Sequence, residues 1–372
     1  MSFSPDDFTY MARAIQLAKK GQYTTHPNPR VGCVIVKDNA TIGEGYHQQA
    51  GQPHAEINAL RDITDGDTKG ATAYVTLEPC SHTGKTPPCV NALIEAQISR
   101  VVIAMQDPNP QVAGQGIQRL RDAGITVDVG ILEEQARALN VGFIKRMEQG
   151  LPWVRIKLAM SLDGRTAMAS GESKWITGSE ARQDVQRLRA RADAILTGSG
   201  TVLHDNPSLN VRISAEELGI TADVKQPLKV IIDTKLTTPL DARLLSLEYN
   251  TLIFTQSHDE RLKDAFYAMG AEIIHIEKTQ KKGLPLKQIL QQLAKKEINE
   301  IHVEAGATLC GTLLQENLVD EIIIYMAPIL MGSGARGLFN LPGLEQMKDK
   351  IDLKIQDVRA VGDDFRLKIL LK

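Results

Sequence analysis

Short apolar runs alternate with amphipathic stretches along the whole chain. Residues 31–36, 73–77 and 100–104 are apolar runs bounded by turn formers and read as buried strands. Residues 37–40 form a turn into a further strand, and another strand closes at Val129. Between these runs the apolar positions recur at helical spacing. Met11, Ile15 and Ala18 mark one face of a first helix, with Ser4 as cap, Pro5 in the first turn and Asp7 at capping-box spacing. Gly21 ends it. Helices are further expected from about His54 to Arg61, over 90–97, ahead of Gly124, and as one continuous helix over 132–147. Gln149-Gly150-Leu151-Pro152 then interrupts the pattern, so a domain boundary is expected there, giving residues 1–149 and 150–372. In the second part, strands are expected over 153–160, 194–197, 229–233, 251–254, 272–276, 300–303, 321–326 and 365–371. Helices are expected over 180–189, 260–268, 286–296 and 308–315. This alternation predicts an α/β fold with a central sheet in each part.

Composition narrows the functional classes. A chain of 372 residues has room for two cores, and 42% hydrophobic with 24% charged residues are ordinary globular values. The formal net charge of −2 and the lack of any long Lys/Arg block argue against an extended nucleic-acid partner. No apolar run is long enough for a membrane span, and the acidic start Met1-Ser2-Phe3-Ser4-Pro5-Asp6-Asp7 is unlike a signal peptide. Cys33, Cys80, Cys89 and Cys310 are too sparse for a disulfide framework, so a reducing cytoplasm is expected.

Four residues carry recognisable chemistry. His54-Ala55-Glu56 is followed by Pro79-Cys80 and then by Cys89. Imidazole and two thiolates suit zinc, and three protein ligands leave one tetrahedral position for water. A hydrolytic deaminase needs that water as nucleophile and a carboxyl group to shuttle its proton, which suits Glu56. Both cysteines are expected at or near helix starts, where thiolates are favoured. The His-x-Glu and Pro-Cys parts match the zinc-deaminase signature, but eight residues separate Cys80 from Cys89 where that signature has two. The intervening Ser81-His82-Thr83-Gly84-Lys85-Thr86-Pro87-Pro88 is polar and is expected to read a substrate beside the metal. Cys33 and Cys310 are expected in the core. His47 and His82 are expected to contact substrate or ligands, not metal. A nucleoside or transfer-RNA deaminase with an accessory domain shares this metal site, but it would want basic and aromatic surface, and aromatics make up only 4%. A structural zinc module would need a fourth protein ligand, and no third cysteine lies close in sequence.

In the second part, no Gly-x-Gly-x-x-Gly follows an expected strand, so a Rossmann dinucleotide site is not supported. Two glycine turns stand out: Thr197-Gly-Ser-Gly-Thr201 and Glu304-Ala-Gly-Ala-Thr-Leu-Cys-Gly311. Such turns feeding helices can hold a nucleotide phosphate, or can be plain turns.

With these residues in view, nearly the whole chain resembles the bifunctional riboflavin-biosynthesis deaminase/reductase family. The first part does so through His26-Pro-Asn-Pro-Arg-Val-Gly32, His54-Ala-Glu56 and Pro79-Cys-Ser-His-Thr-Gly-Lys-Thr-Pro-Pro-Cys89, whose long cysteine spacing is the family's own. The second does so through Lys157-Leu-Ala-Met-Ser-Leu-Asp-Gly-Arg-Thr166, Ser173-Lys-Trp-Ile-Thr177, Thr197-Gly-Ser-Gly-Thr-Val-Leu-His-Asp-Asn-Pro207 and Val303-Glu-Ala-Gly-Ala-Thr-Leu309. The resemblance implies a cytidine-deaminase-like three-layer domain followed by a dihydrofolate-reductase-like domain. It implies zinc-dependent deamination of 2,5-diamino-6-(5-phosphoribosylamino)pyrimidin-4-one, then NADPH-dependent reduction of the product's ribosyl group to ribityl. By the same resemblance, His54, Cys80 and Cys89 match zinc ligands and Glu56 the proton shuttle. Asn28, His47, His82 and Lys85 match deaminase substrate contacts, with Asp107 and Asn109 as further candidates. Ala159, Trp175, Thr201, Asp205 and the turn Gly306, Ala307, Thr308, Leu309, Cys310 and Gly311 match NADPH contacts. Ser173, Arg189, Leu209, Arg212 and Glu304 match reductase substrate contacts, the two arginines suiting its phosphate. Lys157 is expected to face the ribose, and Asp205 and Glu304 are the candidate proton donors. A homodimer or higher homo-oligomer is the expected assembly.

Overall fold

A computed structural model describes residues 3–64, 66–81, 88–110, 112–245, 250–278 and 283–371. The chain divides into two compact units, residues 1–150 and 151–372.

The first unit runs α1 (Pro5–Lys19), β1 (Gly32–Lys37), β2 (Ala40–Tyr46), α2 (Ala55–Arg61), β3 (Thr72–Val75), α3 (Cys89–Glu95), β4 (Arg100–Ile103), α4 (Gln115–Asp122), β5 (Thr126–Val129), α5 (Glu133–Leu139) and α6 (Val141–Gln149). Its sheet has the order β2-β1-β3-β4-β5, with β1 antiparallel to both neighbours and β3, β4 and β5 parallel. Successive residues of β1 serve opposite faces. Val34 and Val36 pack with Met11, Ala14, Ala136 and Ile144 from α1, α5 and α6. Cys33 and Ile35 pack with Ala55, Ala59, Val90, Leu93, Ile117 and Leu120 from α2, α3 and α4. The result is three layers. The capping box expected at Ser4 and Asp7 is present.

One expected helix is two. Between α5 and α6, Asn140 leaves the helical region at φ −123°, ψ 30°. Its buried side chain accepts the Arg30 N–H at 2.7 Å and donates to the Arg30 carbonyl at 2.9 Å. A local break is exchanged for two long-range bonds. Cys80 also departs from expectation, lying outside any helix, whereas Cys89 opens α3.

The second unit contains β6 (Trp153–Ser161), β7 (Arg165–Ala167), α7 (Ser179–Arg191), β8 (Ala194–Gly198), α8 (Ser199–Asp205), α9 (Ala215–Leu218), β9 (Leu228–Ile232), β10 (Thr251–Thr255), α10 (Glu260–Ala268) and β11 (Ala271–His275). It continues through α11 (Leu286–Lys295), β12 (Glu300–Val303), α12 (Ala307–Gln315), β13 (Glu321–Ala327), β14 (Arg336–Gly337), β15 (Leu353–Val361) and β16 (Asp364–Leu371). Nine strands form one sheet in the order β11-β10-β9-β8-β12-β6-β13-β16-β15, parallel from β11 to β13 and antiparallel beyond. One face buries Val154, Ile156, Ile301, Val303, Ile322 and Ile324 with α11 and α12. The other carries Ile231 and Ile253 at one end and Ile323 and Tyr325 at the other. Between them lies a polar strip: Arg155 and Lys157 on β6, Glu300 and His302 on β12, and Glu304 just beyond. Helix α8 begins inside the first glycine turn, a helix the residue pattern did not predict.

Candidate active sites

The first site is assembled at one end of β1 and β3. His54 is the N-cap of α2, with extended backbone at φ −74° and ψ 170°, so its ring projects from the helix end while Glu56 sits in the first turn. Cys89 is the first residue of α3. His54 Nδ1 lies 3.5 Å from Cys80 Sγ and 3.3 Å from Cys89 Sγ. A tetrahedral zinc with about 2.1 Å to nitrogen and about 2.3 Å to sulfur separates its ligand atoms by about 3.6 Å. His54, Cys80 and Cys89 therefore fit that ion, and they form the one such group of three or more candidate ligands among the described residues. The Cys89 N–H donates to Cys80 Sγ at 3.2 Å, so the start of α3 faces the Cys80 sulfur although Cys80 is not helical. Hydrogen bonds from Cys89 and His54 hold the Cys80 thiol well below its ordinary range, and Cys89 is pushed up in turn. Burial, reinforced by the Cys80 charge, pushes the Glu56 carboxyl up to about 7. A carboxyl balanced near neutrality is suited to accept and return a proton.

Asn28 and His47 are brought to the same place. Asn28 Nδ2 lies 3.1 Å from His47 Nε2, His47 Nδ1 lies 3.2 Å from the Pro53 carbonyl, and the His47 ring meets the His54 ring edge-on at 5.3 Å. Burial lowers the His47 pKa, keeping the ring neutral. With Nδ1 donating to Pro53, Nε2 accepts from Asn28. His82 and Lys85, with the polar segment that contains them, lie outside the described residues. Asp107 and Asn109 sit in the loop before α4, where the Asn109 N–H donates to Asp107 at 2.8 Å.

In the second unit, Glu304 is a hub. Arg189 grips it with two bonds, 2.5 Å and 3.0 Å, Lys157 Nζ stands 3.9 Å away, and His302 Nε2 stands 3.5 Å away. Burial alone would raise the Glu304 pKa, but the Arg189 charge and these neighbours hold it well below the carboxylate range. The pairing favours the ionised form of Glu304. Arg189 Nη1 also donates to the Asn210 carbonyl at 3.0 Å. Arg189 and Arg212, both expected at the substrate phosphate, are brought together on Asn210. Arg212 is the exposed cation, oriented by Asn210 Oδ1 at 2.9 Å. Leu209 is buried beside it with φ 49°.

The expected cofactor residues gather at the strand ends. Thr201 and Asp205 lie on α8, Ala159 on β6, and a side chain at Gly198 would touch Leu309, so the two glycine turns adjoin. Gly306 caps α12, leaving the N–H groups of its first turn without helical partners. Cys310 and Gly311 differ from the rest of that turn. Cys310 is buried and donates its thiol to the Ala305 carbonyl, and Gly311 packs against the Asn340 backbone. Both support the turn from behind. Trp175 is 72% exposed with the Arg182 guanidinium 4.7 Å over its ring, and Ser173 is half-buried two residues before it.

Some polar residues were not singled out by pattern. Glu78, the acid before Pro79-Cys80, is buried and accepts four backbone N–H groups. Fully buried His302 turns Nε2 to Glu304 at 3.5 Å, while its Nδ1 has no hydrogen-bond partner among the described residues. A charged residue at the end of an apolar strand was the available signal for Glu78.

Comparison with known proteins agrees with this geometry. Residues 4–105 match the family described as cytidine and deoxycytidylate deaminase zinc-binding region, and residues 152–367 match the RibD C-terminal domain. Riboflavin biosynthesis protein RibD of Escherichia coli K12 is 51% identical over 370 residues, 98% of this chain and 99% of that protein. The Haemophilus influenzae protein of the same name is 49% identical, covering 99% and 98%. Among solved structures, Acinetobacter baumannii RibD has TM-score 0.89 at 49% identity, covering 99% of both chains. A Thermotoga maritima diaminohydroxyphosphoribosylaminopyrimidine deaminase/5-amino-6-(5-phosphoribosylamino)uracil reductase has TM-score 0.86 at 34% identity, also covering 99% of both.

Proposed function

This chain belongs to the RibD family of bifunctional riboflavin-biosynthesis deaminase/reductases, and from that premise we propose how its own residues divide the work. The family carries a zinc-binding deaminase domain and an NADPH-dependent reductase domain. No described helix is long and apolar enough to cross a membrane.

We assign residues 1–149 to the deaminase and 150–372 to the reductase. The first substrate is the diaminopyrimidinone ribosylamine phosphate, and the product of its deamination is the second. In the deaminase, His54, Cys80 and Cys89 would hold zinc, which when bound would supply a water that ionises near neutral pH. Glu56, buried against the thiols, would take a proton from that water and return it to the departing amine. Asn28 presents its amide to the pyrimidine edge, held by neutral His47. His82 and Lys85 are assigned to the phosphorylated ribose by motif.

In the reductase, NADPH supplies the hydride. The turn from Gly306 to Gly311, with Ala159, Trp175, Thr201 and Asp205, holds it, Cys310 and Gly311 backing it from inside the fold. Exposed Arg212, with Arg189 beside it on Asn210, takes the substrate phosphate. Glu304 and Lys157 face the ribose as an ion pair, with Arg189 fixing Glu304. Ser173 and Leu209 complete the substrate contacts. The free-thiol state of all four cysteines suits a reducing cytoplasm, and a homo-oligomer is the proposed assembly.

The observation that carries this reading is the His54–Cys80–Cys89 cluster with buried Glu56 against it. The test follows ammonia release and NADPH oxidation separately. Glu56→Ala should lose deamination by about 100-fold or more and still reduce deaminated substrate. Arg212→Ala should do the reverse. One of these changes abolishing both activities in folded protein would defeat the two-site assignment.

A further inference from the structure

We propose that the N-terminal turn of α4 is a clamp on Cys80, with Glu78 and Arg119 as its positioning residues. The proposal rests on the reading of His54, Cys80 and Cys89 as zinc ligands.

Cys80 is the ligand least supported by secondary structure. His54 and Cys89 each sit at a helix boundary, whereas Cys80 belongs to an irregular segment after β3. An irregular segment needs other restraints to hold a sulfur still. Two sets of restraints exist here, from two different helices.

The first comes from α3, through the Cys89 N–H on Cys80 Sγ and the Val90 N–H on the Cys80 carbonyl at 3.3 Å. The second comes from α4 and the loop feeding it. Glu78, only 5% exposed, accepts the Asp107 N–H at 3.1 Å and the Gly114 N–H at 2.9 Å on one oxygen. Its other oxygen accepts the Gly116 N–H at 2.8 Å and the Ile117 N–H at 3.2 Å. Four bonds to one carboxylate, two of them from the first turn of a helix, make a charge-assisted anchor. Gly116 permits the approach, because a side chain there would run into the Pro79 carbonyl and the Glu78 side chain. On the far side of Cys80, Arg119 one turn along α4 donates to the Ser81 carbonyl at 3.0 Å. Residues 78 and 81 are thus both held by α4 and the loop that feeds it, and Cys80 lies between them.

Helix α4 supplies no zinc ligand. Its contribution is to fix where the Cys80 sulfur stands before metal arrives. Outer residues that orient ligands commonly alter metal affinity 10–100-fold. Loosening the clamp should therefore show as faster zinc loss from folded protein.

The experiment uses full-length, zinc-loaded protein and a chromogenic chelator, well below the melting temperature. Zinc release is timed while hydrogen exchange of β1 and β3 amides reports folding in the same samples. Glu78→Gln keeps the size but removes acceptor capacity, and should release zinc at least about tenfold faster. Arg119→Ala truncates an exposed side chain and should accelerate release by a smaller factor, with Arg119→Lys restoring part of it. Arg119→Ala carries the test if Glu78→Gln does not fold. Parental release rates in the folded variants would overturn the clamp, as would release that only tracks lost protection in β1 and β3. A parent protein that binds no zinc overturns the ligand reading, and the clamp with it.

Discussion

At the scale of single residues, Glu304 separates electrostatics from chemistry. Its carboxylate is only 13% exposed, gripped by Arg189 and approached by Lys157 and His302. Removing the charge leaves Arg189, itself buried, without its partner. Breaking a buried pair in this way typically costs about 3–5 kcal/mol, because the remaining charge stays desolvated. Glu304→Gln should therefore lower the unfolding free energy of the reductase unit by about that amount in urea titration. It should also impair NADPH-dependent turnover while ammonia release continues. A variant as stable as the parent would mean that water reaches Arg189 and relieves it. The sequence announced Glu304 only as part of a motif. Its partner lies 115 positions earlier on a helix, a distance over which residue types carry no signal. By contrast, His54, Glu56, Cys80 and Cys89 were readable because few other reasons bring those types together in that order. Their geometry then followed from helix ends close to where the pattern put them.

At the scale of elements, α1 shows how local and distant signals combine. Ser4 and Asp7 announce its start, and the box they form is present. The same Asp7 is also a buried anchor, accepting from Arg100 on β4 at 2.7 Å and from the Tyr74 hydroxyl on β3 at 2.8 Å. Burial alone would raise its pKa, but Arg100, the Ser4 N–H and Tyr74 hold it well below the usual range. A depressed folded-state pKa contributes stability above the unfolded value of about 4, lost as pH falls through the folded value. Asp7→Asn should cost about 1–3 kcal/mol at pH 7, and the gap from the parent should shrink below about pH 4. A pH-independent gap in denaturation midpoints would assign the loss to shape instead of charge. Most central strands were legible because their apolar runs are continuous. The break at Asn140 was not, since it depends on Arg30, 110 residues away. Nor was β15, whose residues are mostly exposed and whose pattern is therefore not set by burial. Both cases reflect partners, or surroundings, that a local window does not contain.

At the scale of the whole molecule, that exposed strand bears on assembly. Strand β15 is the edge of the nine-stranded sheet and pairs only with β16 within it. Unprotected edges with apolar side chains invite further association. Ile355 is 58% exposed and Val358 54%, with Leu353 and Phe365 of the same hairpin also exposed. Lys354 and Arg359 interrupt the ribbon, as charges do on edges that must not pair indiscriminately. Stable dimers bury about 800 Å² on each partner, which a hairpin of this length with its flanking loops can supply. A second copy brought to this ribbon would cover the apolar side chains of both, since a two-fold interface uses the same patch twice. In sedimentation the parent should run at twice its chain mass of 40.8 kDa or more. Ile355→Glu with Val358→Glu should shift it to the mass of a single chain, because the pair removes the apolar area of the contact and puts two charges per copy into it. Ammonia release should persist in that variant, the zinc ligands being in the other unit. A parent that sediments as a single chain at micromolar concentration would remove the oligomer from the proposed function and leave the ribbon as plain exposed surface. A double variant that stays associated would move the contact to another face.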